Sequence, residues 1–263
     1  MTEESWERKL KIRTDGGKNH TADGENYPYE PTPHSVLVRL AESGYLSEKN
    51  TLVDYGCGKG RVSFLLASLT HCRAIGLDYN EDLVRAALRN LASSRIKGVS
   101  FLCEKAENYE VDDADSFFFF NPFSSAVMKK VLDQILWSWY ENPRKMQLMF
   151  YYPKDETVAL LMTTDELQFS DEIDCSDLFD GNNKRERILI FELWDRGERP
   201  YCPTCCHTSD SLPCFHILNI LISPYFHLGE HLVKLLPDLT QFIFYLGRYF
   251  RIDLPNDQAI LFQ

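Results

Sequence analysis

The sequence has no uninterrupted apolar run of the roughly 18 residues that would cross a membrane, so no membrane span is expected. Its beginning, Met1-Thr-Glu-Glu-Ser-Trp-Glu7, is acidic and has no apolar stretch. That excludes a secretory signal in the residues given and leads us to expect a cytoplasmic protein. Positive charge is scarce: 28 Lys and Arg face 39 Asp and Glu, a formal net charge of −11. Such a balance disfavours a broad nucleic-acid surface, though a local basic patch would still fit. There is no G-x-S-x-G, the elbow that presents the serine of α/β hydrolases. There is no H-E-x-x-H, the helical pair of the zinc proteases. Cysteine is present without a regular metal pattern. Cys202 and Cys205 form one C-x2-C, and Cys206, His207, Cys214 or His216 could complete a set of four. A second C-x2-C is missing, so no metal is expected. Cys57, Cys72, Cys103 and Cys175 fall in predicted core elements and read as reduced, buried thiols.

What is present is enough for one domain of ordinary size plus an extension: 263 residues, 44% hydrophobic and 25% charged. The chain is organised around Thr51-Leu-Val-Asp-Tyr-Gly-Cys-Gly-Lys-Gly60. Leu52 and Val53 read as a buried strand that ends at Asp54. Gly56, Gly58 and Gly60 make the turn, where a backbone without Cβ can fold tightly and approach a ligand. Val62, Phe64, Leu65, Leu66 and Leu69 then recur at helical spacing. Strand, glycine turn and helix make the first half of a nucleotide-binding βαβ unit. The turn is not the dinucleotide fingerprint G-x-G-x-x-G, because Arg61 stands where its third glycine belongs.

Residues 1–26 are polar and are expected to be mobile. Three prolines stiffen Tyr27-Pro-Tyr-Glu-Pro-Thr-Pro33, and Thr32 is a candidate N-cap with Pro33 at the first helical position. A second strand ends at Asp78, 24 residues after Asp54. A carboxylate there can accept hydrogen bonds from both ribose hydroxyls. The alternative is that Asp78 caps the following helix, a task Asn80 could also perform. A third strand, Val99–Cys103, leads into Glu104-Lys-Ala-Glu-Asn-Tyr109. Ser116-Phe-Phe-Phe-Phe120 is apolar without alternation, as expected of a strand buried on both faces in a parallel sheet. It ends in Asn121-Pro-Phe-Ser124. Beyond a helix at about 125–140 come a fifth strand at 146–152, a short helix at 155–162, and strands at 167–173 and 187–193.

Asp-x-Gly-x-Gly-x-Gly at a strand end, with Asp78 placed downstream and Asn121-Pro122 at the end of the fourth strand, resembles the class I S-adenosylmethionine-dependent methyltransferases. The resemblance covers about residues 27–194. It is closest, over residues 27–121, to small bacterial members of that superfamily with a Pro-Thr-Pro helix start. It implies an α/β, Rossmann-like fold: a seven-stranded, mostly parallel sheet with helices on both faces. It implies S-adenosylmethionine as cofactor, with Asp54, Gly56 and Gly58 at its methionine end and Asp78 at its ribose. Glu104 and Lys105 stand where such proteins flank the adenine, although the usual Asp-Ala pair is here Lys105-Ala106. Asn121 would be the catalytic residue, orienting the acceptor nitrogen, with Pro122, Phe123 and Tyr27 on the substrate side. The amino-group methyltransferases carry two prolines in this motif and this chain carries one. Asn121-Pro122 could instead simply end the strand, and Tyr27 and Tyr29 could merely pack the next helix.

The expected organisation is therefore a flexible segment, 1–26, a methyltransferase domain, 27–196, and a Cys-containing apolar extension, 197–263, of unknown role. The function it implies is methyl transfer to a protein or small-molecule acceptor. A nucleic-acid N-methyltransferase using Asn121-Pro122-Phe123 is one alternative. A non-catalytic methyltransferase-like binding protein is the other. Neither the acceptor nor the oligomeric state can be read from the sequence.

Overall fold

The computed structural model describes residues 2–16, 25–181 and 183–193. The expected extension at 197–263, with its Cys202, Cys205, Cys206 and His207, lies outside the described residues. Seven strands follow in chain order: β1 (Thr51–Tyr55), β2 (Arg73–Asp78), β3 (Val99–Cys103), β4 (Ser116–Phe119), β5 (Met146–Tyr151), β6 (Gln168–Asp174) and β7 (Arg187–Leu193). The helices are α1 (Glu3–Leu10), α2 (His34–Glu42), α3 (Arg61–Thr70), α4 (Glu81–Ser93), α5 (Ser125–Glu141) and α6 (Asp155–Met162). The strands form one sheet in the order β3-β2-β1-β4-β5-β7-β6. β3, β2, β1, β4 and β5 pair in parallel, and β7 is antiparallel to both β5 and β6. The order reverses between β1 and β4, so a crevice opens at their carboxyl ends, where sheets of this kind hold ligands.

Alternation along the strands divides the core between two faces. Leu52 and Phe118 join a cluster with Val36, Leu37, Phe64, Leu65 and Val84 from α2, α3 and α4. Val53, Tyr55, Phe117 and Phe119 face the other way and pack with Val127, Val131, Ile135 and Leu161 from α5 and α6. The fully apolar β4 is explained by this double burial. Register then stacks three rings: Tyr55 pairs with Phe119 and Phe119 with Phe150. Their ring centroids lie 5.0 and 4.6 Å apart with planes within 7° of parallel.

Three expectations need correction. Residues 3–10, read as part of a mobile segment, form α1. Thr2 caps that helix, and Trp6 and Leu10, four residues apart on one face, are buried with Ile12 against the α2–α3 side of the sheet. Thr32 is not a helix cap: α2 begins at His34 with Pro33 in the capping position and no side-chain cap. The Thr32 carbonyl instead accepts a hydrogen bond from Arg61. Cys103 is exposed at the carboxyl end of the edge strand β3, whereas Cys57, Cys72 and Cys175 are buried free thiols.

Candidate functional site

A cavity of about 970 Å³ opens at the carboxyl ends of the parallel strands. Gly56 and Pro122 meet at its centre. Gly56 has φ +75°, and a Cβ there would lie 2.5 Å from the Pro122 side chain, so only glycine lets the two loops touch. The turn is pinned to β2 by the Gly56 and Cys57 N–H groups, which both donate to the Leu77 carbonyl at 2.9 Å. One end of the cavity is walled by Asp78, Tyr79, Leu83, Glu104, Lys105 and Ala106. The other is walled by Asn121, Phe120, Tyr151, Tyr152 and Glu186. Tyr27, Glu30 and their neighbours form the rim.

Asp78 is a nearly buried carboxylate, 7% exposed. Its oxygens accept the Gly58 and Asn80 N–H groups, each at 2.9 Å, which fixes the carboxylate at the turn. It does not cap α4. Asn80 does, accepting from Asp82 and Leu83. Asp78 lines the cavity with its carboxylate held in this way.

Asp54 does not reach the cavity wall. It is 2% exposed beneath the turn, where its Oδ2 accepts the Ser63 hydroxyl at 2.8 Å. Burial pushes its carboxyl up to about 7, against the pull of the Ser63 hydrogen bond and with help from the charge on Asp78. Gly58 is also off the wall, because the Tyr29 ring lies on it: a Cβ at Gly58 would sit 2.1 Å from that ring. Asp54 and Gly58 therefore act by holding the turn, not by lining the cavity.

At the other end two non-glycine residues take left-handed backbone, Asn121 at φ 42° and Tyr152 at φ 49°. They follow β4 and β5, and the Asn121 amide donates to the Tyr152 carbonyl at 2.7 Å. That bond ties the ends of two adjacent strands and turns the Asn121 carbonyl away from Tyr152. A strained pair on the wall of a cavity marks a site the surrounding structure has to enforce. Phe123 is only 6% exposed. Its ring stands nearly perpendicular to those of Tyr55 and Phe119 and belongs to the core on that face of the sheet.

The segment before α2 straps this site. The Tyr27 N–H donates to the Pro122 carbonyl at 3.1 Å, the Ser124 N–H donates to the Glu25 carbonyl at 2.7 Å, and Asn26 bridges Phe123. The Tyr29 hydroxyl donates to the Thr14 carbonyl at 2.7 Å. Below it Arg61, 4% exposed, gathers the N-terminal residues. Its guanidinium reaches Glu3 at 2.7 Å, Asp15 at 2.6 Å and Glu7 at 3.5 Å, and donates to Thr14 at 2.7 Å. Asn90 adds a clasp from α4, accepting from the Arg13 N–H at 2.9 Å and donating to the Arg13 and Lys59 carbonyls.

Residues 46–168 match a family model described as a methyltransferase domain. Over that segment the chain is similar to a methyltransferase domain. A protein-lysine N-methyltransferase of Saccharolobus islandicus (strain REY15A) is 31% identical to the chain over 90 residues, 34% of this chain and 55% of the relative. The chain thus spans about half the length of the curated relative it matches. Among solved structures, an RNA methyltransferase from Salinibacter ruber, in complex with S-adenosyl-L-homocysteine, is similar at 20% identity. That likeness covers 66% of this chain and 98% of the other, with a TM-score of 0.45. An rRNA methylase from Streptococcus thermophilus is similar at 18% identity over 64% and 98% of the two chains, with a TM-score of 0.45. Likenesses at this level carry nothing about the acceptor.

The cavity brings together Gly56, Asp78, Glu104, Lys105, Asn121, Pro122, Phe123 and Tyr27 of the expected site residues. Sequence reasoning missed Glu30 from the strap, Tyr151, Tyr152 and Lys154 from the end of β5, and Glu186 from just before the antiparallel β7. Tyr29, in a segment that could close over the cofactor or merely pack the next helix, covers the glycine turn. The proline run flagged the strap, but nothing local flagged Glu186, which the β7 pairing delivers. Among the described residues no helix is long and apolar enough to cross a membrane. Among those residues no cluster of three His, Cys, Asp or Glu could hold a metal ion.

Proposed function

We propose that this chain is an S-adenosylmethionine-dependent methyltransferase acting on a protein or small-molecule acceptor. The observation that carries the reading is the contact of Gly56 with Pro122 inside one cavity, with Asp78 at one end and Asn121 at the other. The cavity fits the cofactor. Leu83 and Ala106 give apolar walls for a planar base, and Asp78 offers acceptor oxygens to a ribose. Gly56 permits close backbone approach, and the carboxylates of the site suit a ligand with an ammonium and a sulfonium. Bound there, the cofactor supplies an electrophilic methyl group.

The chain's own residues would position and shield the transfer. Asp78 and Glu104 would hold the adenosine end. Asn121, fixed by Tyr152, would orient the acceptor atom, and Tyr27 and the strap would exclude water. Asp54 would support the turn from beneath.

The curated relative's printed acceptor, protein lysine, agrees with a protein substrate. A nucleic-acid acceptor is less well supported, because the Phe123 ring is packed in the core and the net charge is −11. Calorimetric titration with S-adenosylhomocysteine tests the proposal. Binding on the micromolar scale, about −8 kcal/mol, is expected in the wild type, with at least a tenfold loss in Asp78→Ala. Absence of wild-type binding would overturn the enzyme reading and return the non-catalytic alternative.

A further inference from the structure

The acceptor end of the cavity has a chemistry of its own. Its carboxylates are Glu25, Glu30 and Glu186, and its one basic side chain among the lining residues is Lys154. Its walls are aromatic: Tyr27, Phe120, Tyr151 and Tyr152. Phe120 packs on Tyr151 with ring centroids 4.8 Å apart, and Tyr151 meets Tyr152 at 6.1 Å. The Tyr151 hydroxyl donates to Glu186 Oε2 at 2.5 Å, which fixes that carboxylate beside the aromatic wall. Burial and that carboxylate push the Tyr151 phenol up, so it stays a donor and never adds a negative charge. The same end also shows which ligand its rings accept. The half-buried Lys154 ammonium sits 3.4 Å from the centre of the Tyr27 ring, and the Arg185 guanidinium lies 5.2 Å from that of Tyr152, so two of these rings already take a cation on their faces.

We propose that this end is a subsite for an alkylammonium group, with Glu186 and Glu30 as the specificity-determining carboxylates and the Tyr27, Tyr151 and Tyr152 rings as its walls. The acceptor would be an amine that arrives as a cation on a flexible aliphatic stem and gives up one proton, to Glu186 or to water, before its lone pair takes the methyl and the S–C bond breaks to leave the cofactor as a neutral thioether. Apolar walls sort by shape and remove water, and a carboxylate in such a place discriminates strongly between an ammonium and a neutral group of the same size. Phosphates would meet like charge there, which disfavours a polynucleotide. The inference rests on the methyltransferase reading for the role of the site, but not for the binding preference itself.

Ligand-observed NMR separates the two. n-Butylammonium and its neutral isostere n-butanol are titrated into the full chain, with and without saturating S-adenosylhomocysteine. The ammonium is expected to bind at least about tenfold more tightly than the alcohol, a difference of ~1.4 kcal/mol. In Glu186→Gln, and further in Glu186→Gln with Glu30→Gln, the preference should shrink to about twofold while S-adenosylhomocysteine affinity is retained. Glutamine keeps an oxygen that can accept from Tyr151, and an unchanged melting temperature certifies the fold. Equal binding of both probes, no ammonium binding, or an unaltered preference in the double variant overturns the subsite. An ammonium preference in a chain that does not bind S-adenosylhomocysteine would leave the subsite standing and remove the transfer reading instead.

Discussion

At the scale of single residues, the carboxyl of Asp54 is the group whose behaviour departs most from its sequence expectation. It resembles a ligand-binding acid in the motif, and the fold makes it a buried support. Its pKa in the folded chain is about 7, against 3.8 for an ordinary Asp, with desolvation as the first cause. The folded state therefore keeps a proton across a range where the unfolded state has released it. Below about pH 4 the two states agree. As pH climbs from there to about 7 this group increasingly favours unfolding, and above 7 the deficit is complete. Asp54→Asn lacks the titration yet keeps an oxygen for the Ser63 hydroxyl. Its stability relative to the wild type should rise between about pH 4 and pH 7, by up to a few kcal/mol. Urea unfolding of both proteins at several pH values checks this. A difference that stays constant with pH would mean that Asp54 is ionised in the folded chain throughout.

At the scale of elements, the N-terminal residues and α3 form one unit through Arg61. A buried guanidinium facing Glu3, Glu7 and Asp15 cannot be removed without leaving the buried Glu7 carboxylate its Thr14 hydrogen bonds but no opposing charge. Arg61→Met should cost about 3–5 kcal/mol by that route. Arg61→Lys should recover little of it, because one ammonium cannot reach several partners in a fork. The urea midpoint reads the loss, and trypsin reads its location: cleavage at Arg8, Lys9 and Arg13 should become fast when α1 is released. Unchanged protection of those sites would show that Trp6, Leu10 and Ile12 hold the segment alone.

These elements also show how far the sequence could be read. β4 was legible because four phenylalanines in a row need burial on both faces. The α4 start was legible because Asn80 and the acidic first turn are local signals. α1 was not, because two apolar residues in a polar stretch look like noise until the α2–α3 surface that receives them exists. Glu186 was illegible for a similar reason: it enters the site only because β7 inserts antiparallel between β5 and β6.

For the whole molecule, the question is where the working unit ends. We propose the boundary near residue 196. The last strand, β7, closes at Leu193 and lies inside the sheet, paired on both sides. The residues that wall the cavity run from Gly16 to Glu186. Among the described residues β7 completes that wall, and its strap and its turn both depend on the residues before α2. A chain ended at residue 196 should therefore keep S-adenosylhomocysteine affinity within about threefold, well under 1 kcal/mol, and unfold in one cooperative transition. Removal of residues 2–16 should do the opposite. It deletes the carboxylates around Arg61 and the Thr14 carbonyl that holds Tyr29 over Gly58, so affinity should fall at least tenfold. Calorimetry on the two truncations decides the matter. If the shorter tail weakened binding as much as the lost N-terminus, residues 197–263 would have to be counted as part of the site.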